Sequence, residues 1–272
     1  MEINSSTSNF IPNSLGNINR ANDGLAQSAE RIASGSRINR ASDDVAGFAL
    51  SERLTRQVDG FSQSIRNAND GVSYLQTADA GLSGISDGIQ RIRELALQAS
   101  NSTLTENDRS VLNEEAQQIK NDIQRTVETS QFNGRQLLTN NDNGLRLQLG
   151  PESDDQLQLQ LDDVSETLSE FNDLDLSSPQ NAQSAINVLD DVQENVVQVR
   201  ADIGAGLNRI DAAINNLSQS ELSAQQSRSR IADADIAKEV SELTVNQIKR
   251  DVSIAIQVQA NKRGNALLNL LS

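Results

Sequence analysis

Few side chains in this sequence could do chemistry, and their spacing argues against most of it. "TNNDNG" (139–144) sets Asn and Asp at alternating positions, as a calcium loop does, but the position that should bring a bidentate Glu is Gly150. "GAGLNR" (204–209) opens like a phosphate-cradling glycine loop. It ends in Arg, however, and lies inside a helical ladder instead of following a strand. Asp233 and Asp235 form a D-x-D pair, which reads more readily as acids at a helix start than as a metal site. Asn4, Asn101 and Asn216 begin N-x-S/T sequons, and no secretory signal precedes them to give those sequons a use. The chain has no His and no Cys. That removes disulfides, thiolate sites, Ser-His or Cys-His pairs, the neutral-pH proton shuttle and most transition-metal sites. An enzyme would have to run on carboxylates, Lys, Ser or Tyr alone. The sequence therefore assigns no catalytic residue, no metal ligand and no cofactor.

Composition limits the elements that could hold a site. In 272 residues there are five Phe, one Tyr and no Trp. Leu, Ile, Val and Ala must supply the packing, which favours thin helical layers over a deep core. The net charge of −15 argues against nucleic acid as a partner. Residues 141–195 hold thirteen acids and a single base, Arg146, whereas residues 1–60 hold seven acids and six bases. The acidic middle reads as solvated surface. No apolar run approaches the ~20 residues of a membrane span, and the start lacks the basic and apolar regions of a secretory signal peptide.

Prolines occur only at Pro12, Pro151 and Pro179, which leaves two long stretches free to be helix. Leu75, Ala78, Leu82, Ile85, Ile89, Ile92, Ala96 and Ala99 step by three and four. So do Leu189, Val192, Val196, Val199, Ile203, Gly206, Ile210, Ala213 and Leu217, with Ala224 and Ile231 beyond. Such heptad spacing keeps an apolar seam facing a partner helix, and each seam spans ~60 Å at 1.5 Å per residue. A shorter ladder, Leu112, Ala116, Ile119, Ile123 and Val127, follows Thr105 and Asp108, which are spaced as a capping box. Period-two alternation in "LRLQLG" and "QLQLQLDDV" predicts a β-hairpin near Leu145–Leu149 and Gln156–Leu161.

The expected fold is mainly α, with long antiparallel helices in a coiled-coil bundle, one small β-hairpin region, and terminal helices forming a second layer. In that layer Ile18, Leu25, Ala29 and Ile32 pair with a seam from Ile236, Val240 and Leu243 through Val252 and Ile256 to Leu267 and Leu271. Between the layers the chain breaks at Ser34-Gly35-Ser36. Gly35 can take the left-handed conformation that ends a helix, and Ser42 can cap the next.

At that break the sequence resembles the bacterial flagellins. "RIASGSRINRASDDVAGFALSERL" (31–54), "GISDGIQRIRELALQASN" (84–101) and "SQFNGRQLL" (130–138) look like the family's N-terminal signature. "VRADIGAGLNRIDAAINNL" (199–217), "SRSRIADADIAKEVSELTVNQI" (227–248) and "QANKRGNALLNLL" (259–271) look like its C-terminal one. Lys262, Arg263 and Gly264 stand where the family often has Gln and Pro. The resemblance implies a structural subunit of the flagellar filament, exported through a narrow channel and found outside the cell. It implies a short form, without the variable outer domains. Residues 1–42 and 227–272 would form the inner coiled coil and hinge. Residues 43–226 would form a rod, with β structure near 131–165 and an acidic outer segment at 141–195.

The same resemblance places polymer contacts at Ile18, Leu25, Ile32, Val240, Leu243, Val252, Ile256, Leu267, Leu268, Leu270 and Leu271. It places the hinge at Ser34, Gly35 and Ser36. The partners it implies are further copies of the chain, an export chaperone on the C-terminal helices, and hook-associated junction and cap proteins. It also implies a vertebrate innate receptor meeting Arg91, Leu95 and Glu115. Two rivals remain. One is a hook–filament junction protein, against which "SDDVAGFALSERL" counts because such relatives usually place Pro after the Asp pair. The other is a soluble coiled-coil interaction module, which leaves the hinge, the hairpin and the apolar tail unexplained.

Overall fold

The computed structural model describes residues 10–139, 144–159, 164 and 168–271, without the side chains of 10–14, 170, 172 and 263–271. Helix α1 spans Phe10–Ser34, α2 Val45–Ala99 and α3 Glu106–Thr129. Two short antiparallel pairs follow: β1 (Gln131–Phe132) with β2 (Arg135–Gln136), and β3 (Leu145–Gln148) with β4 (Gln156–Leu159). A 3₁₀ turn at Leu168–Asp173 leads to α4 (Pro179–Ala232) and α5 (Ile236–Leu271). Among these residues the chain forms two compact units. One is Asp59–Glu221. The other takes in the described residues up to Val58 and from Leu222 onward.

In the unit Asp59–Glu221 both long ladders are core. Every rung from Leu75 to Ala99 is at most 1% exposed, and Leu189, Val192, Val196, Ile203 and Ile210 are equally buried. Polar ties fix α2 and α4 as antiparallel neighbours. Ser62 Oγ donates to Glu221 Oε1 at 2.7 Å, Arg200 Nε to Asp79 Oδ1 at 2.8 Å, Gln193 Nε2 to Ser86 Oγ at 2.8 Å, and Arg93 Nε to Asp190 Oδ1 at 2.6 Å. Helix α3 packs back along α2 through Ala116, Ile123 and Val127. It starts with the expected capping box: Asp108 N–H donates to Thr105 Oγ1, and Thr105 N–H donates to Asp108 Oδ2. Ser178 caps α4 by accepting from Asn181 N–H at 3.1 Å, and Pro179 takes the first helical position, where its missing N–H costs nothing.

The hairpin expected near residue 150 is β3–β4; Leu161, its expected end, lies outside the described residues. It lies close on the helices at Gly71, where an added Cβ would press on Leu147, while Gly206 faces Leu75 and Leu159. A second hairpin, β1–β2, turns on Asn133 (φ 49°) and Gly134 (φ 78°), both in the left-handed region as a type I′ turn needs. Its Phe132 ring meets Tyr74 edge to face at 5.9 Å. The acidic segment is not wholly surface. Val164, Leu168, Phe171, Leu174 and Leu176 are buried and join the core, and Gln117 and Asn113 of α3 hydrogen-bond the backbone at Leu174 and Leu176.

Two carboxylates held low by their partners contribute to this unit's response to acid. The Arg93 guanidinium lowers the Asp190 carboxyl from its ordinary 3.8, and the amide and hydroxyl of Ser177 lower Asp175. A carboxylate whose folded pKa lies below its unfolded one stabilises the fold above the unfolded value. That contribution is lost as pH falls through the lowered one. The melting temperature should therefore hold from about pH 7 to 5 and fall below roughly 3.8. Asp190→Asn should flatten part of that fall in pH-resolved thermal scans.

Candidate functional site: the terminal helix pair and its joint

Where α1 ends, Gly35 is left-handed (φ 68°), as expected, and the following turn is closed by Asp43, whose carboxylate accepts from the N–H groups of Asn39 and Arg40. Those amides hold the Asp43 carboxyl below its ordinary value. The cap of α2 is Asp44, not Ser42: its Oδ1 accepts from Gly47 N–H at 2.9 Å, the third helical residue. Ser42 stands too far upstream to reach that amide once Asp43 has turned the chain.

A second break at Asp233–Asp235 separates α4 from α5. Asp235 caps α5 by accepting from Lys238 N–H at 3.1 Å, and Asp233 accepts from Ser229 Oγ at 2.6 Å, so both acids serve the helix ends. The two breaks are stitched together. Arg37 N–H donates to Ala232 O at 2.6 Å, Ala234 N–H donates to Gly35 O at 2.9 Å, and Ser36 pairs with Asp233 as an antiparallel bridge. The Arg37 guanidinium caps the end of α4 at Ile231 O. The stretch Ser34–Ser36 is thus half of a clasp. The other half was hidden in the sequence, where Asp233 and Asp235 signalled a helix start but not its partner.

From the clasp α1 and α5 run antiparallel. Arg31 Nη1 meets Glu239 Oε1 at 3.2 Å, and a Cβ on Gly24 would lie 2.6 Å from Asn246 Nδ2. Farther along, Asn17 and Arg20 share a groove with Lys249 and Ser253. Ile18, Leu25 and Ile32 are half-buried on α1, and Leu243 is half-buried on α5. The pairing expected for the rest of the C-terminal seam is corrected. Ile236, Val240, Val252 and Ile256, expected in that seam, are 44–51% exposed, and Val245, Ile248, Ile254 and Val258, outside the expected seam, are 44–57% exposed. The apolar residues of α5 are spread around the helix among polar ones with no single apolar face, so periodicity alone could not select the face that meets α1. The side chains of Leu267, Leu268, Leu270 and Leu271 lie outside the described residues, though their backbone is helical in α5.

Charge divides between the two units. The residues of the terminal unit hold thirteen Lys and Arg against eleven Asp and Glu, whereas Asp59–Glu221 holds ten against twenty-seven. In that second unit Arg91 pairs with Glu115 at 2.8 Å and Glu94 at 3.0 Å on the exposed side of α2, while Leu95 is 2% exposed in the core.

Among the described residues no group of acids could hold a metal, and no helix is long and apolar enough to cross a membrane. Long heptad helices, with one clasp tying the two helix breaks together and apolar side chains uncovered on α5, define a structural coiled-coil protein built to assemble. Its residues 6–143 match the bacterial flagellin N-terminal helical region and 186–271 the C-terminal helical region. A flagellin from Halalkalibacterium halodurans is 40% identical over 89% of this chain and 90% of its own. A Bacillus subtilis flagellin is 32% identical over 95% and 96%. The crystal structure of Bacillus cereus flagellin superposes with a TM-score of 0.52 at 31% identity, covering 56% of this chain and 88% of that one. A putative flagellar hook-associated protein from Vibrio parahaemolyticus reaches 0.58 at 18% identity, covering 70% and 100%, and shares the fold alone.

The chain belongs to the bacterial flagellin family, in a short form with only residues 144–185 between the two helical regions. It is a structural subunit of the flagellar filament, not an enzyme.

Proposed function

We propose that copies of this chain meet through the outward side of α5, with Ile18, Leu25 and Ile32 of α1 completing the contact. The observation that carries the proposal is the exposure of eight β-branched residues on one helix. Large apolar side chains left exposed on several sides of one helix mark surfaces that other elements cover, and α1 covers one side. The near balance of charge in the terminal unit lets copies approach without repulsion, while the acidic unit keeps the assembled polymer soluble. On this reading residues 1–42 and 227–272 form the inner layer and 43–226 the rod. An export chaperone covers α5 before assembly, junction and cap proteins meet the two ends of the filament, and the filament stands outside the cell. A vertebrate innate receptor would read the exposed Arg91 and Glu115, with Leu95 supporting them from beneath.

Salting the purified chain out onto short filament seeds, followed by negative-stain electron microscopy, tests the contact. Long uniform tubes are the expected result. Seeds that gain one ring would favour a junction role, and seeds that gain nothing would sink the proposal.

A further inference from the structure

The face that α5 turns toward α1 is mostly polar. Its less exposed residues are Glu239, Leu243, Asn246, Arg250, Ser253, Gln257 and Ala260, in steps of four and three. Three pairs recur at heptad spacing on both helices: Arg31 with Glu239, Gly24 with Asn246, and Asn17 with Ser253. The first is largely buried on its Glu239 side, with the Arg31 side chain 21% exposed. The Glu239 side chain is 6% exposed, and Arg31 Nε and Glu239 Oε2 are buried with no hydrogen-bond partner. Such a pair is a poor way to gain stability, since apolar side chains of similar volume usually do as well or better. It is a good way to choose a geometry, as a polar residue in a coiled-coil seam does. The side that carries Val245, Val252 and Ile256 would bring more large apolar side chains to α1 than the side that is used.

We propose that this polar ladder is a specificity determinant of assembly. It selects which face of α5 lies against α1, and so keeps the β-branched residues turned outward for other copies. The inference rests on the assembly reading above. Gly24 and Asn246 act by shape, because a side chain at 24 would displace the Asn246 carboxamide that packs over it. Arg31 and Glu239 act by charge, because either one turned elsewhere leaves the other buried alone.

The test is the double variant Arg31→Leu with Glu239→Leu in the full chain. Its melting temperature should equal or exceed the parent's, while its seeded growth rate falls about tenfold, equivalent to about 1.4 kcal/mol per added subunit. The charge-swapped Arg31→Glu with Glu239→Arg should grow near the parent's rate. A leucine variant that melts lower than the parent, or one that grows like it, overturns the proposal. The absence of Cys allows a readout that does not depend on growth. A short thiol linker should join Asn17→Cys to Ser253→Cys in the parent background but not Asn17→Cys to Ile256→Cys. In the leucine background the second pair should link as well, and an unchanged linking pattern overturns face selection. A parent that fails to extend seeds would sink the assembly reading, while the linking pattern would still judge the ladder.

Discussion

Two aspartates at exposed apolar positions of α5, Val252→Asp beside the α1 groove with Ile256→Asp, should abolish filament growth while leaving the unit Asp59–Glu221 folded. Both side chains are about half exposed in the single chain, at 51% and 48%, so a charge there meets water and costs the monomer little. In the polymer the same positions would be covered by a neighbour. A carboxylate without a partner in such a place costs several kcal/mol, and every added subunit would meet that cost again. Growth depends exponentially on the free energy of each contact, so the expected rate on seeds is indistinguishable from zero. The alanine pair at the same positions removes apolar area without adding charge. Its growth should be slowed but recover at higher protein concentration, because burying a Val or Ile side chain contributes only about 1.5–3 kcal/mol. Seed-extension rates, read beside thermal melts of the free chain, separate these cases. Parent-like growth of the aspartate pair would mean that copies meet elsewhere.

How far the sequence showed this depended on whether a signal was local or came from a partner. The two long ladders could be read directly, since a 3.5-residue apolar repeat is visible in the residues themselves and Leu75 through Ala99 are all buried. The capping box at Thr105 and the left-handed Gly35 are likewise single-position signals, and both are formed. The Asn133-Gly134 dipeptide was as strong a hairpin signal as any in the chain. Its strands are two residues each, too short for alternation to show in the sequence. Phe171 was hidden by its acidic neighbours: charge described the surface of that segment, while burial of Leu168, Phe171, Leu174 and Leu176 needs the side of α3 and α4 they cover. The clasp between Gly35 and Ala234 could not be read at all. Each half is an ordinary helix break, and only the fold brings them within hydrogen-bond distance. The terminal seam failed for the opposite reason. There were too many apolar positions on α5, and the few polar ones, Glu239 and Asn246, carry the choice of face.

The seam between α2, α3 and α4 should carry most of the stability of its unit, and Ile89→Ala should show it. Ile89 is fully buried, and the neighbouring Gly88 lets Ile123 of α3 lie directly against the α2 backbone. Removing the side chain leaves a cavity that three long helices can close only by bending. Large-to-small changes of this kind cost roughly 2–5 kcal/mol, or roughly 4–20 °C of melting temperature in a unit of this size. Tyr74, the chain's one tyrosine and packed against Phe132, gives a fluorescence signal from this unit alone. Its transition should move down with the variant. The helical signal of α1 and α5, followed by hydrogen exchange at Arg31 and Glu239, should stay where it was, because the terminal unit has its own clasp and its own ion pair. Equal shifts in both probes would mean that the two units unfold as one. The uncovered faces of α5 would then be held in place by the rod, and the ladder of Arg31, Glu239 and Asn246 would be acting on a helix already positioned from outside its own unit.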